Sequence, residues 1–403
     1  MLLPEKILCR GVQFAFRLAI PILPYREPEI LHRVADVIPL LQKKQITSVL
    51  LVTDPGVFRQ GIPAPLISLL EQAGIHCAVY DQTCPNPTTD NVAEAKALYI
   101  ENNCQALIAF GGGSSMDCAK GVGACIAYPK KSLSRMKGLL KVLRRIPLLI
   151  AIPTTAGTGS EATLTAVITD RKAKHKYTMN DFTLIPRVAV LDPKMTYSLP
   201  PHLTATTGMD ALTHSVEAYI GGSTTKRTRS LAIQSVKLIF ENIQTAYALP
   251  ENADAREAML KAAYMAGVAF SRSYVGYVHA VAHSLGGQYN TPHGLANAVL
   301  LPIVLKSYGA SAAKKLHDLG IAAGVAEKTQ SHKEGAAAFI QAVENLNRQL
   351  GIPQTLPNIQ PGDIPRMARH AAREANPLYP VPKLMTAREL ETFYRQVSDR
   401  RKA

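Results

Sequence analysis

The chain contains no CxxC pair, no internal repeat, no low-complexity segment and no long unbroken apolar run. Its six cysteines (Cys9, Cys77, Cys84, Cys104, Cys118 and Cys125) all lie in the first third. None is spaced for a structural zinc knuckle, and the pattern fits a reduced, cytoplasmic compartment. A transmembrane helix needs about 18 consecutive apolar residues, so no membrane span is expected. The nearest candidate, Gly11–Pro24, is interrupted by Arg17 and lacks a small-residue cleavage site. It reads as a strand or helix packed on the body or on another subunit, with a surface membrane anchor as the alternative. A hydrophobic share of 47% against 19% charged excludes a disordered chain, and 26 Gly with 27 Pro excludes a collagen-like one. With 403 residues the chain has length for two or three domains of about 150 residues.

Lys and Arg number 45 against 30 acidic residues, a formal net charge of +15. The positives are scattered, with local clusters at Lys130-Lys131, Lys141–Arg145, Arg171–Lys176 and Arg400–Lys402. That distribution reads as a solvated surface and not as a nucleic-acid stripe.

Up to about Pro193, short Val/Ile/Leu runs alternate with amphipathic stretches. Strands are expected at Ser48–Thr53, His76–Tyr80, Ala106–Phe110, Leu148–Ile152 and Val188–Leu191, and helices at Pro63–Ala73 and Asn91–Asn102. Asp54-Pro55-Gly56 reads as a turn. The alternation predicts an α/β domain with a parallel sheet and crossover helices, over about residues 1–200 with 1–30 as an N-terminal extension. From Thr204 onward apolar residues recur at three- and four-residue spacing, in Asp210–Ile220, Ser230–Ala248, Ala253–Ser271, His279–Gly287, Ser311–Gly324 and Lys333–Leu350. An all-helical second domain over 201–403 is expected.

Two loops in the first half fall at strand ends, where ligands of parallel sheets sit. Phe110–Asp117 (FGGGSSMD) follows one strand and opens a helix; its glycines admit a close ligand, and its unpaired N–H groups suit a pyrophosphate. The spacing is not GxGxxG. The second loop, Pro153–Glu161 (PTTAGTGSE), offers hydroxyls and small residues to a nucleotide. Asp54, at the end of the first clear strand, could bond ribose hydroxyls and would repel a 2′-phosphate, favouring NAD over NADP. It could equally be a turn former.

In the second half Asp210 and His214 are four residues apart, hence on one helix face. His279, His283 and His293 crowd into VHAVAHSLGGQYNTPHG. One carboxylate with imidazoles suits Fe²⁺ or Zn²⁺ with a position left open for substrate. Spacing would pair His279 with His283 but does not say which of the three histidines stays off the metal.

Taken in order, GGGSSMD, PTTAGTGSE, GMDALTHSVEAY and VHAVAHSLGGQYNTPHGLANAVLLP resemble the successive signatures of the iron-containing (group III) alcohol dehydrogenase family, from about Val52 to Leu301. NPLYPVPKLMTARELETFY resembles that family's C-terminal helix. The resemblance implies a nucleotide-binding α/β domain followed by a helical metal domain. It implies Asp210, His214, His279 and His293 as metal ligands and His283 as a proton-relay residue. It further implies Gly112, Gly113, Ser114 and Asp117 near the cofactor pyrophosphate, Thr154, Thr155 and Thr158 in the second loop, and Asn86 and Lys176 near the nucleotide. The expected activity is reversible hydride transfer between NAD(H) and small alcohols and aldehydes, in a homodimer or larger homo-oligomer. A glycerol dehydrogenase-like polyol oxidoreductase and a catalytically silent NAD-binding relative are the alternatives. Pro24–Pro28 departs from the glycine-containing segment usual before the first strand. Thr165 stands where some diol-active relatives carry Asn, which weakens a diol substrate.

Overall fold

The computed structural model describes residues 3–170 and 175–398. Residues 171–174 of the Arg171–Lys176 cluster, and all of Arg400–Lys402, lie outside them. The chain forms two compact units: Pro24–Leu199, and Pro200–Ala403 together with Met1–Leu23. The N-terminal segment, expected with the α/β half, thus belongs with the helical one.

In the first unit the strands are β1 (Glu29–Leu31), β2 (Ser48–Val52), β3 (His76–Tyr80), β4 (Ala106–Gly111), β5 (Gly138–Leu139), β6 (Leu148–Pro153), β7 (Thr165–Asp170), β8 (His175–Asn180) and β9 (Val188–Val190). Six form one parallel sheet in the order β1-β9-β6-β4-β2-β3. The inner strands are buried on both faces, which is why their sequences are unbroken aliphatic runs. Alternate residues serve two cores: Leu50, Val52, Leu107 and Ala109 face one, while Val49, Leu51, Ala106 and Ile108 face the other. From β2 the chain moves outward to β3 and then returns past β2 to β4, so a topological switch point lies between the carboxyl ends of β2 and β4.

A second sheet, β5-β8-β7, with β7 and β8 antiparallel, was not expected. Its signal is the alternation of Ala166 and Ile168 with Tyr177 and Met179, all buried, but the neighbouring positive charges make this stretch look like plain surface.

A buried lysine fixes the loop after β6. Lys120, on the helix Gly113–Ala127, is fully buried. Its ammonium donates to Ser160 O (2.8 Å), Ser160 Oγ (2.9 Å), Thr163 O (3.0 Å), Thr163 Oγ1 (2.9 Å) and Thr165 O (2.8 Å). Burial pulls its pKa down to about 8, against the opposing pull of Asp117 and Glu161. Glu161 is itself buried, and its Oε1 has no hydrogen-bond partner. Burial pushes that carboxyl up to about 7, with its own backbone N–H and Lys120 pulling the other way.

The helical unit contains the helices Pro201–Ile220, Lys226–Ala248, Ala253–Ser273, Tyr277–Tyr289, His293–Tyr308, Ala313–Ala322, His332–Gln349, Ile364–Ala375 and Ala387–Val397. The first starts ahead of its expected Asp210 because Pro201 suits the opening position of a helix. His293–Tyr308 was missed because it is buried nearly all round and so lacks an amphipathic period, with Pro302 inside it. The expected Gly11–Pro24 element is part of a longer helix, Leu3–Ala19, followed by a 3₁₀ turn at Ile20–Ile22.

Two outcomes follow from Lys120 and Glu161. Lys120→Met strands a cluster of buried acceptors and should lower unfolding stability by about 3 kcal/mol in chemical denaturation. The Glu161 pKa is raised on folding, from 4.5 to about 7. Its contribution to stability is therefore complete below the lower value and is lost as pH rises through the upper one. Melting curves from pH 5 to 8 should show a fall across that window that Glu161→Gln flattens.

Candidate active site

The two nucleotide-candidate loops leave neighbouring strands, since Gly111 on β4 is in register with Pro153 on β6. Thr154 N–H donates to Gly111 O at 3.0 Å, so Thr154 is built into the strand end, and its side chain is buried. Gly111 has φ +150°, and a Cβ there would lie 2.5 Å from Ser115 Oγ and 3.4 Å from Asp54 Oδ2. Only glycine fits. A Cβ on Gly112 would meet Thr155 at 3.5 Å, and one on Gly113 would meet Thr158 at 3.0 Å. Asp54, Gly111–Ser114, Thr155 and Thr158 thus share the carboxyl edge of the sheet at its switch point, beside the start of the helix Gly113–Ala127.

Asp54 does have a local structural role: its Oδ1 caps the short helix Pro55–Arg59, accepting from Gly56 N–H (2.9 Å) and Val57 N–H (3.0 Å). The Asp117 carboxylate is engaged internally. Oδ1 accepts from Ser160 Oγ at 3.0 Å and Oδ2 from Val167 N–H at 3.0 Å, tying its helix to the second loop. Asn86, at φ +58°, and Lys176 meet each other, the ammonium donating to Asn86 Oδ1 at 2.7 Å.

In the helical unit, Asp210 and His214 project from Pro201–Ile220, His279 and His283 from Tyr277–Tyr289, and His293 opens His293–Tyr308. Potential ligand atoms of Asp210, His214, His279 and His293 lie within 4.8 Å of one another. Asp210 Oδ1 is 3.8 Å from His279 Nε2 and 3.5 Å from His293 Nε2, and Asp210 Oδ2 is 4.0 Å from His214 Nδ1. The His214 ring stacks on that of Phe270, with centroids 4.1 Å apart, and on that of His279, at 4.4 Å.

His279 carries the sharpest signature. Its Nδ1 lies 2.6 Å from Glu217 Oε2, while its Nε2, buried and facing Asp210, makes no hydrogen bond. A carboxylate on Nδ1 holds the tautomer with the lone pair on Nε2, the form a metal needs. Burial, then the nearby His214, His293 and His283, push the His279 pKa well below its ordinary value, so the ring stays neutral. Glu217 is set by the backbone: it accepts from Gly276 N–H and Val278 N–H, each at 2.8 Å. Burial pushes Glu217 up to about 7, opposed by those N–H donors. A Cβ on Gly276 would lie 2.6 Å from Glu217 Oε1, so this clasp requires glycine there.

His283 stands beside the group. Its ring stacks on that of His293 with centroids 5.3 Å apart, and its Nδ1 lies 2.6 Å from Glu374 Oε1, which also accepts from Tyr379 OH at 2.7 Å. Burial works to raise the Glu374 pKa, but His283 and the two hydrogen bonds bring it below the ordinary value. Spacing alone left open which histidine stands apart from the other three; the geometry separates His283.

Four contributors escaped the sequence reading. Glu217 had a signal, because Asp210, His214 and Glu217 recur at helical spacing on one face. Asn297, four residues after His293, donates to Asp210 Oδ1 at 2.7 Å and lies 3.1 Å from His293 Nε2; its signal was the same spacing. Glu374 and Lys120 had none, since their partners are remote in sequence.

The chain thus combines a parallel-sheet unit, whose glycine-rich and threonine-rich loops meet at the switch point, with a helical unit that gathers three histidines and one carboxylate. Residues 30–193 match the model for iron-containing alcohol dehydrogenase, and 204–398 match that for the C-terminal part of the Fe-containing alcohol dehydrogenase family. The chain belongs to the iron-containing alcohol dehydrogenase family. It is 36% identical to 1,3-propanediol dehydrogenase from Citrobacter freundii over 94% of this chain and 98% of that one. It is 36% identical to lactaldehyde reductase from Escherichia coli K12 over 82% and 87% of the two chains. A crystal structure of 1,3-propanediol oxidoreductase superposes with a TM-score of 0.88 at 35% identity, covering 93% of this chain and 99% of the other. This is accordingly an alcohol dehydrogenase and aldehyde reductase that works with a nicotinamide cofactor and a metal.

If the Glu217 carboxylate fixes His279, Glu217→Gln should weaken retention of added Fe²⁺ or Zn²⁺ by about 10–100-fold in a chelator-competition titration. Gly276→Ala should act the same way through the same carboxylate.

Proposed function

We propose that Asp210, His214, His279 and His293 hold one divalent cation, Fe²⁺ first and Zn²⁺ second. The carrying observation is the convergence of four ligand atoms from three helices, one of them a buried imidazole nitrogen with no hydrogen bond. A carboxylate with neutral imidazoles is a donor set for either metal. Gly112, Gly113 and Ser114 would take the pyrophosphate at the helix start. Thr154, Thr155 and Thr158 would border it, and Asp117 would act by bracing the second loop. Asp54 would face the ribose, favouring NAD over NADP, with Asn86 and Lys176 near the nucleotide.

When bound, the cation supplies Lewis acidity at the alcohol or aldehyde oxygen and the nicotinamide carries the hydride. The chain's own residues do the rest. Glu217 keeps His279 in one tautomer, and Asp210 supplies the negative charge of the cluster. His283 exchanges the alcohol proton at Nε2 while Glu374, on Nδ1, stabilises the imidazolium and fixes the ring. Substrates are small alcohols and aldehydes. The names of the relatives bring 1,3-propanediol and lactaldehyde into the panel, while Thr165, bonded to Asn180 Oδ1 at 2.7 Å, argues for testing monohydric alcohols first. A homodimer working in the cytoplasm is the proposed assembly and setting; all six cysteines are free thiols, which suits a reducing compartment.

His279→Ala and His293→Ala should each lose the metal in elemental analysis. His283→Ala should keep it while turnover, followed at 340 nm with C2–C6 alcohols and aldehydes, falls by about 10²–10³. Full metal occupancy in both ligand variants would refute the assignment. Asp54→Ser should narrow the preference for NAD over NADP in kcat/KM.

A further inference from the structure

The N-terminal helix Leu3–Ala19 lies outside both family matches, the first of which begins at residue 30. It is fixed on the helical unit by one row of residues. Cys9 and Gln13 are buried; Gln13 Nε2 donates to Tyr379 O at 2.7 Å, and Phe16 packs edge-on against Tyr274 at 4.9 Å. The Arg10 guanidinium donates to Val381 O (2.8 Å) and Pro382 O (3.0 Å). So held, the helix turns its most apolar face to solvent. Leu3, Ile7, Leu8, Phe14, Leu18 and the following Ile22 are 59 to 83% exposed. Leu3, Ile7, Phe14 and Leu18 recur at helical spacing as one row, and no charged residue interrupts it.

Alongside runs a row of cations, Lys6, Arg10 and Arg17; Lys6 and Arg17 each stand one residue before a member of the apolar row, Ile7 and Leu18. The body continues this charge. One surface depression beside the helix is lined by Lys6, Arg10 and Lys383, with Glu389 as its acidic member. Another is lined by Arg17, Arg229, Lys314 and Lys315, with Asp318. Cations thus outnumber carboxylates at both.

We propose that this helix docks the enzyme in the plane of an anionic phospholipid surface, its apolar row among the acyl chains and its cations at the headgroups. An apolar face bordered by Lys and Arg is the pattern of an interfacial helix. A second copy fits less well. A helix of 17 residues offers a face of about 26 by 10 Å, far below the roughly 800 Å² per partner of a stable interface. A two-fold contact through this face would also set like-charged rows close together.

The test is flotation of the full-length enzyme with vesicles of phosphatidylcholine alone or with about one-third phosphatidylglycerol, at low and high salt. The protein should float with the anionic vesicles at low salt and be retained about tenfold less by neutral ones. Ile7→Asp/Leu18→Asp should abolish flotation while turnover and melting temperature stay unchanged. Lys6→Glu/Arg17→Glu should remove the preference for anionic lipid. Failure of the wild type to float, equal retention on both vesicle types, or indifference to Ile7→Asp/Leu18→Asp would overturn the proposal. So would conversion of a dimer to a monomer by that variant without lipid, which would assign the face to a second copy.

Discussion

The helical unit depends on one buried hydrogen bond, from His279 Nδ1 to Glu217. It does two jobs at once. It sets which imidazole nitrogen keeps its lone pair, and through Gly276 and Val278 it pins the start of the helix that carries both His279 and His283. Glu217 lies one helical turn from His214, so the same carboxylate ties together the two helices that carry Asp210, His214 and His279. A buried acid in this position is costly by itself. Three N–H donors make it tolerable, and its geometry passes directly to the metal-ready cluster.

In the proposed cofactor site the α/β unit would meet a different problem, the approach of a large anion to backbone. Its answer is steric and begins in the sheet order. Because β2 and β4 are parallel neighbours at the switch point, Asp54 and Gly111–Ser114 fall side by side, and β6 brings the threonine-rich loop next to them. At the proposed pyrophosphate position the helix start itself favours negative charge.

Much of this was legible beforehand because the relevant signals are local. Unbroken aliphatic runs mark strands buried on both faces, glycines after a strand mark a close approach, and a four-residue Asp–His spacing marks one helix face. Two kinds of feature escaped for identifiable reasons. The helix His293–Tyr308 and the polar pair β7–β8 carry periodicities that burial on all sides, or neighbouring charge, conceals. Glu374 meets His283 across 91 residues, and Lys120 meets Ser160 across 40, distances over which a sequence pattern holds no information. The N-terminal segment shows a third limit. Its apolar content was visible, but which side faces the body depends on contacts with Tyr274 and Val381.

The ammonium of Lys120 also bears on how such an enzyme changes cofactor or substrate over evolutionary time. It engages the carbonyls of Ser160, Thr163 and Thr165 from beneath, so the floor of that loop is fixed by a residue on another element. A redesign that inserts or deletes residues between 160 and 165 would have to replace the anchor as well.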